Sequence, residues 1–504
     1  MADHALLGID LGAGGLKVSA VSLAGTLLGE ASEPLETSIP AFGWAEQDPE
    51  SWWEALLTAL PRALAAAGLR AEAVRGIAVS GGAHIPVLLD AADRVIRPAI
   101  LWSDQRSAAE ARELHERAGA AIIATSLNRV NPTWTLAMLL WLKRHEPRSA
   151  ERARKLMLSK DYLRFRLTGS WETDYSDVIG ALMADHRTRA WSPELCRLID
   201  WPLETLPPVV EPAAVVGGLT PAAAAALSLR PGTPVICGSN DTTVEFFGIG
   251  ATRPGMAAIK LATAGVLFLA TEGPVVKPPI SCYPHVMPGM YYLATGTNSC
   301  ASAHRWLRDR MFLAPGGEGS AAFAEMDRLA ATVPAGADGL LFHPYLQGER
   351  APYWDPLLRA DFIGLTMQHG RAHFARALYE GIAFSIRDLL DTAKGFGLEF
   401  GATRLIGGGS RSLTWRQIIA DVTGLAIEKP ENGDASFGAA LLAGIGIGAF
   451  ASPEDAVERC VRVVGRAEPN AERHRLYGEL FAVYKDAQAA LAPLSHRLHG
   501  LVAR

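Results

Sequence analysis

Two stretches of the chain share one pattern of apolar and small residues. Leu6 to Glu30, LLGIDLGAGGLKVSAVSLAGTLLGE, is apolar from Leu6 to Leu11, passes Gly12, Ala13, Gly14 and Gly15, and is apolar again to Leu23 before a turn at Ala24-Gly25. Met256 to Gly273, MAAIKLATAGVLFLATEG, repeats the pattern with Ala262, Thr263, Ala264 and Gly265 as the turn. Short apolar runs broken by glycine predict β-hairpins. Their recurrence, one in each half, predicts two similar domains facing one ligand, since the interval is too long for a solenoid. A turn of small residues lets backbone N–H groups approach an anion, and Asp10 at its mouth can hold a metal that shares the anion's charge. Taken alone, the first stretch also fits an ordinary hairpin with a surface aspartate.

The remaining pattern alternates strands with helices. Asp48-Pro49 is a helix start by the N-cap and N1 rules, and Glu50 to Ala67 is amphipathic. Gly76 to Ser80 is a buried strand running into Gly81-Gly82-Ala83-His84, where a ligand group could be met at a sheet's carboxyl edge; a hydrogen-bonded structural histidine is the plainer reading. Leu101 to Arg106 should open a helix capped by Ser103 or Asp104, with Trp102 and Arg106 as possible pocket residues. Helices are expected over Asn128 to Arg144 and Lys160 to Leu167; Thr173 to Asp177 carries no chemistry that can be assigned.

A second strand, Pro234 to Gly238, ends in Ser239-Asn240-Asp241, which presents Asp241 either as a general base or as a helix cap. Phe342 to Pro352 reads as a loop and Phe374 to Lys394 as a long helix. Arg404 to Ile406, Gly407-Gly408-Gly409-Ser410 and Leu413 to Thr423 read as strand, bare turn and helix, a geometry suited to a phosphate or a flat base. A small-residue helix, Ala435 to Ala440, is expected to close the same pocket. From Ser452 onward the chain is helical and charged.

Composition narrows the class. At 504 residues the chain exceeds one core and predicts two domains with a possible tail. A net charge of −5 with dispersed basic residues argues against nucleic acid, and 49% hydrophobic with 20% charged residues describes a packed globular chain. The five cysteines are odd in number and never spaced as CxxC, so they read as reduced core residues rather than disulfides or metal ligands. Met1-Ala2-Asp3-His4 has no basic n-region and no apolar run is long enough to span a membrane, so a cytoplasmic protein is expected.

These motifs together resemble the FGGY carbohydrate-kinase family, nearest its xylulokinase branch. The resemblance covers nearly the whole chain: IDLG at Ile9 to Gly12, the EQDP segment, His84 with LLD following, LW-x-D-x-R at Leu101 to Arg106 and KDYLR at Lys160 to Arg164. It continues with the Asp241 segment, PYLQGERAP at Pro344 to Pro352, GLTMQHG at Gly364 to Gly370, IGGGSRS at Ile406 to Ser412 and the FGAA helix. It implies an α/β fold of two ribonuclease-H-like (actin/hexokinase/Hsp70-type) domains, with ATP and sugar in the cleft between them. The expected boundaries are 1–245, 246–450 on the ATP side, and a helical tail over 451–504.

By the same resemblance, Asp10 is the acid near Mg²⁺ and Asp241 the base that takes the sugar hydroxyl's proton. Gly12, Ala13, Gly14, Lys17 and Thr263 would serve the ATP phosphates, and Gly408, Gly409 and Ser410 the adenosine. His84, Ala83, Trp102 and Thr242 would line the sugar. A homodimer is also implied. The chain departs from the family pattern at Ala13-Gly14 (usually Thr-Ser), Ala262-Thr263-Ala264-Gly265 (usually Gly-Thr-Ser-Gly), Gly82-Ala83 (Gln-Met in xylulokinases) and Thr242 (usually Asn). The last two bear on which ketose or polyol is accepted, because a hydrogen-bonding site discriminates through unpaired polar groups.

Other classes fit less well. A dinucleotide dehydrogenase needs G-x-G-x-x-G before a helix, whereas Lys17 and Ser412 stand at the third glycine position of the two candidates. An iron–sulfur activator ATPase needs clustered cysteines. A non-catalytic nucleotide switch would have no use for Asp241 as a base.

Overall fold

The computed structural model describes residues 4–313 and 319–502, so Met1 to Asp3 lie outside the described residues. Two compact units are each built from three segments of chain. The first comprises Met1–Pro254, Thr271–Tyr292 and Asn432–Arg462; the second comprises Gly255–Ala270, Leu293–Glu431 and Val463–Arg504.

The first unit centres on a six-stranded sheet in the order Val215–Gly218, Pro234–Asn240, Val74–Gly81, Ala5–Gly12, Gly15–Ser22, Leu27–Pro34. The predicted hairpin is its core: Ala5–Gly12 and Gly15–Ser22 pair antiparallel, with Gly12 opposite Gly15. Val74–Gly81 runs parallel to both Ala5–Gly12 and Pro234–Asn240. Strands so enclosed carry side chains into layers on both faces, which explains runs such as Ala5-Leu6-Leu7 with no exposed residue.

The helix Pro49–Ala67 covers one face. Asp48 accepts from the Glu50 N–H at 3.0 Å, Pro49 takes the first helical position, and Gly68 closes the end in a left-handed conformation. Its stripe of Trp52, Leu56, Leu60 and Leu64 joins Leu7, Ile9 and Val18 in one buried cluster.

The helix Ala435–Gly446 covers the other face. A Cβ on Gly8 would lie 1.7 Å from the Ser436 carbonyl oxygen, so this helix packs directly on the first sheet. The first crossing between units falls at Pro254, near the expected 245, and residues 432–462, the start of the expected tail among them, pack with the first unit. The last forty residues form no separate tail either. Val463–Ala467 is a strand of the second sheet, and the helix Ala471–Val502 buries Tyr477 and Tyr484 in the second unit's core.

The second sheet has seven strands: Ser281–Pro284, Met290–Gly296, Gly265–Glu272, Ala257–Leu261, Thr403–Ile406, Ile427–Pro430, Val463–Ala467. Its hairpin Ala257–Leu261 and Gly265–Glu272 is antiparallel, Thr403–Ile406 and Ile427–Pro430 add parallel strands, and Val463–Ala467 closes the edge antiparallel. The first sheet is built the same way, with antiparallel Val215–Gly218 at its far edge. The repeated pattern in the sequence is thus a repeated sheet frame.

Two helix starts differ from expectation. The segment 101–106 opens no helix; that helix is Ala108–Ser126. Asp104 is buried instead, accepting from the Ala45 N–H at 2.6 Å and from Arg106, which reaches Glu46 at 2.6 Å and lies over the Trp44 ring at 3.8 Å. LW-x-D-x-R and EQDP therefore lock each other in place, and Arg106 is a strut rather than a pocket residue. The helix expected from Asn128 begins at Thr135, after Pro132. All five cysteines are buried and free. Among the described residues no helix is long and apolar enough to cross a membrane.

The closest contact in this frame yields a test. Gly8→Ala should destabilise the first unit by at least ~2 kcal/mol, because neither the strand nor the helix backbone can yield to a methyl group. Urea unfolding followed by circular dichroism reads this directly; an unchanged midpoint would disprove the tight contact.

Candidate active site

In the first unit, three parallel strands deliver polar residues to one carboxyl edge. Asp10 lies opposite Ser80, Ser80 lies opposite Ser239, and Gly81 lies opposite Asn240. The Ser80 hydroxyl bonds Asp10 Oδ1 at 3.0 Å, within reach of the Ile9 carbonyl at 3.2 Å. Asn240 caps the helix Asp241–Gly248 by accepting from the Thr243 N–H at 2.9 Å. The cap is thus Asn240, and Asp241 is the first helical residue, half-buried, where the helix dipole favours negative charge. The Thr242 N–H donates to Asp241 Oδ1 at 2.7 Å and its hydroxyl lies 3.2 Å away, which orients the carboxylate.

Four acids act on one another here. Burial pushes the Asp10 carboxyl up to about 7, and the negative charges of Asp241, Asp434 and Glu245 add to that, against the Ser80 hydrogen bond. Asp434 was not singled out in the sequence. Burial also works against its charge, but Lys17, the Ser436 hydroxyl and the Phe437 N–H outweigh it and hold that carboxyl below the usual range. Lys17 Nζ lies 2.6 Å from Glu30 and 3.1 Å from Asp434, so this expected phosphate ligand is committed to two carboxylates. An Asp immediately before an apolar run is a cap signal, and it could have revealed Asp434.

The first turn is held from behind. The Ala13 carbonyl accepts from Gln47 Nε2 at 2.7 Å and the Gly14 carbonyl from the Leu35 N–H at 3.3 Å. Because a trans peptide points its N–H opposite its C=O, the Gly14 N–H is directed away from Gln47. Gly14 has open space where a side chain would be.

His84 follows the Val74–Gly81 strand and is buried, and burial pulls its imidazole down to about 3, so it is neutral. Ala83 is half-buried beside it. Trp102 is close: a Cβ on Gly82 would lie 3.7 Å from its ring and 3.1 Å from Ile85. Trp102 remains 49% exposed, which suits a wall that a ligand covers. Trp134, Tyr283 and Tyr292 pack in series beside His84, with ring centroids 4.7 Å from His84 to Trp134, 5.8 Å from Trp134 to Tyr283 and 5.4 Å from Tyr283 to Tyr292. Trp134 and Tyr292 are buried, as the expected core reading of the tryptophan stripe has it for Trp134.

In the second unit, the Thr263 carbonyl accepts from the Cys300 N–H at 3.0 Å and the Ser302 hydroxyl at 2.9 Å, and its own hydroxyl accepts from Arg305 at 3.2 Å. The triglycine turn abuts the same hairpin. Gly407, at φ +81°, could not carry a Cβ, which would lie 2.5 Å from the Leu261 carbonyl; Gly409 would meet Leu261 and Trp415 at 2.8 Å. Only Gly408 faces open space, and it is exposed. Ser410 is turned inward onto the Gly407 carbonyl at 2.7 Å. Of the three expected adenosine contacts, Gly408 is the one presented outward.

Comparison with known proteins places the chain in a family. The profile for the FGGY family of carbohydrate kinases, N-terminal domain, matches residues 5–248, and that for the C-terminal domain matches residues 257–447. The chain belongs to the FGGY family of carbohydrate kinases. It is a two-domain sugar kinase of mixed α/β fold that uses ATP as phosphoryl donor. It is similar to the xylulose kinase of Escherichia coli (34% identical, covering 97% of this chain and 99% of that enzyme). The Bacillus subtilis xylulose kinase is 33% identical over 95% of this chain and 96% of its own length. The crystal structure of xylulose kinase from Rhodospirillum rubrum superposes with a TM-score of 0.87 at 32% identity, covering 98% of this chain and 100% of that one.

The raised Asp10 carboxyl makes a pH prediction. Its native value of about 7 exceeds the ordinary 3.8, so the folded protein holds an extra proton between them and loses stability as pH rises through that window. Asp10→Asn should therefore raise stability at pH 8 by up to about 4 kcal/mol and leave it nearly unchanged near pH 4. Calorimetry at the two pH values checks it; equal shifts at both would contradict the charge crowding.

Proposed function

We propose that this enzyme phosphorylates D-xylulose, using Mg²⁺-ATP, to give D-xylulose 5-phosphate. Similarity to xylulose kinases over almost the full length is the observation that carries the substrate. Asp241, at the carboxyl edge of the parallel strands, accepts the proton of the attacking hydroxyl as the oxygen bonds the γ-phosphorus and ADP leaves. Thr242 fixes which carboxylate oxygen faces the alcohol. The turn at Gly12 to Gly15 and the turn at Thr263 offer backbone N–H groups to phosphate oxygens, and Gly408 offers a bare surface to the adenine.

The residues present fit a magnesium ion at Asp10. A carboxyl crowded by three other acids gains a divalent cation's charge with relief of repulsion. Among the described residues no three acids converge as a cage. Asp10 would thus be the protein ligand, with waters and phosphate oxygens completing the shell, as suits Mg²⁺. When bound, the ion neutralises charge on the phosphates.

Asp241→Asn should lower kcat at least about a hundredfold while KM for sugar and ATP changes little. Turnover near the wild-type rate would place the base elsewhere. ADP release across pentuloses, hexuloses, polyols and glycerol tests the substrate; a best rate on a compound other than D-xylulose would overturn that assignment and leave the kinase intact.

A further inference from the structure

His84 adopts φ +45°, a left-handed conformation that side-chain-bearing residues occupy sparsely. If only the turn mattered, glycine would adopt it without strain. Instead both backbone polar groups of His84 are held by distant side chains. Its N–H donates to Asp177 Oδ1 at 2.8 Å, and its carbonyl accepts from the Thr135 hydroxyl.

The two helices that supply these holds also shape the space for the ring. Thr135 begins the helix Thr135–His145, and Trp134, its N-cap residue, packs on the imidazole at 4.7 Å. Asp177 lies in the helix Tyr175–Gly180, whose last residue leaves room for the ring: a Cβ on Gly180 would lie 2.5 Å from His84 Cδ2. Each helix thus contributes one backbone clamp and one wall.

Asp177 is itself anchored. Asp174 caps its helix, accepting from the Ser176 and Asp177 N–H groups at 3.0 and 3.3 Å. The Ser239 hydroxyl reaches Asp174 at 2.7 Å, and the fully buried Lys160 Nζ lies 2.9 Å from Asp174 and 3.9 Å from Asp177. Ser239 stands two residues before Asp241, so one buried group ties the His84 loop to the strand that leads into the base. Within this surround the His84 Nδ1 is buried without a hydrogen-bond partner, an exception among buried polar atoms. A strained residue over-determined in this way is characteristic of a ligand clamp.

We propose that Asp177 and Thr135 are positioning residues that hold His84 in its left-handed conformation and so aim its imidazole at a hydroxyl of the sugar. This rests on the reading of His84 as a sugar contact. It assigns a role to Thr173 to Asp177, which had none in the sequence.

Kinetics with D-xylulose and ATP test it. Asp177→Ala and Thr135→Val should each raise KM for D-xylulose at least about tenfold and leave KM for ATP within about twofold, as for loss of a buried hydrogen bond that orders a ligand group. Asp177→Asn keeps an acceptor oxygen and should recover most of that loss. In a His84→Ala background, Asp177→Ala should add less than about twofold, because residues acting as a unit are non-additive. Full additivity, or equal losses for sugar and ATP, would overturn the proposal. Should Asp177→Ala fail to fold, Thr135→Val carries the same comparison from the other side of the loop. A His84→Ala enzyme with wild-type KM for D-xylulose would remove the underlying reading and the proposal together. A His84→Ala defect that neither clamp variant reproduces would overturn the proposal alone.

Discussion

Carboxylates gathered at one sheet edge repel one another, and the first unit is arranged around that repulsion. Asp10, Asp241, Asp434 and Glu245 act on a common region, while Lys17 is divided between Asp434 and Glu30. The result is a graded set: Asp434 is held ionised by its cation and its helix cap, and Asp10, answered by the neutral Ser80, is pushed up. The negative charges of Asp241, Asp434 and Glu245 all favour a proton, or a cation's charge, at Asp10. Separating acids by environment is also how one fold keeps a proton acceptor distinct from a metal ligand.

A second kind of charge is handled differently a short way along the same sheet. Lys160 is fully buried among Asp161, Asp174 and Asp177; burial pulls its ammonium down, and the carboxylates of Asp161 and Asp174 overcome that and raise it. Here the charges are matched inside the protein, so the group behaves as a fixed polar platform rather than a binding site. The KDYLR motif supplies the cation and Asp161, and Thr173 to Asp177 supplies Asp174 and Asp177.

Local chemistry was legible in the sequence and distant chemistry was not. The hairpins, the Asp48-Pro49 helix start and the helix before Gly169 arise from periodicity and caps, and all are present. Asp241 could be found because strand end and helix start coincide there, but its separation from the cap depended on Asn240 taking that task. Asp177 was invisible because its significance is a bond to a backbone N–H 93 residues away. The helix Ala435–Gly446 was recognised but its seat on the first sheet was not, since a Gly-sized gap at Gly8 leaves no trace in hydrophobic pattern. Likewise three adjacent glycines look equivalent on paper, and only the Leu261 backbone at Gly407 and the Leu261 and Trp415 side chains at Gly409 show that these two serve packing while Gly408 faces outward.

The return of residues 432–462 to the first unit matters during biosynthesis. The sheet that starts at Ala5 is among the first structures to leave the ribosome, yet the helix that covers one of its faces is synthesised more than 400 residues later. Until then an apolar surface stays bare on the nascent chain, inviting chaperones or aggregation. The same threading means that a cut near residue 254 would yield no autonomous half: the N-terminal fragment lacks its lid, and the C-terminal one carries a helix with nothing to cover.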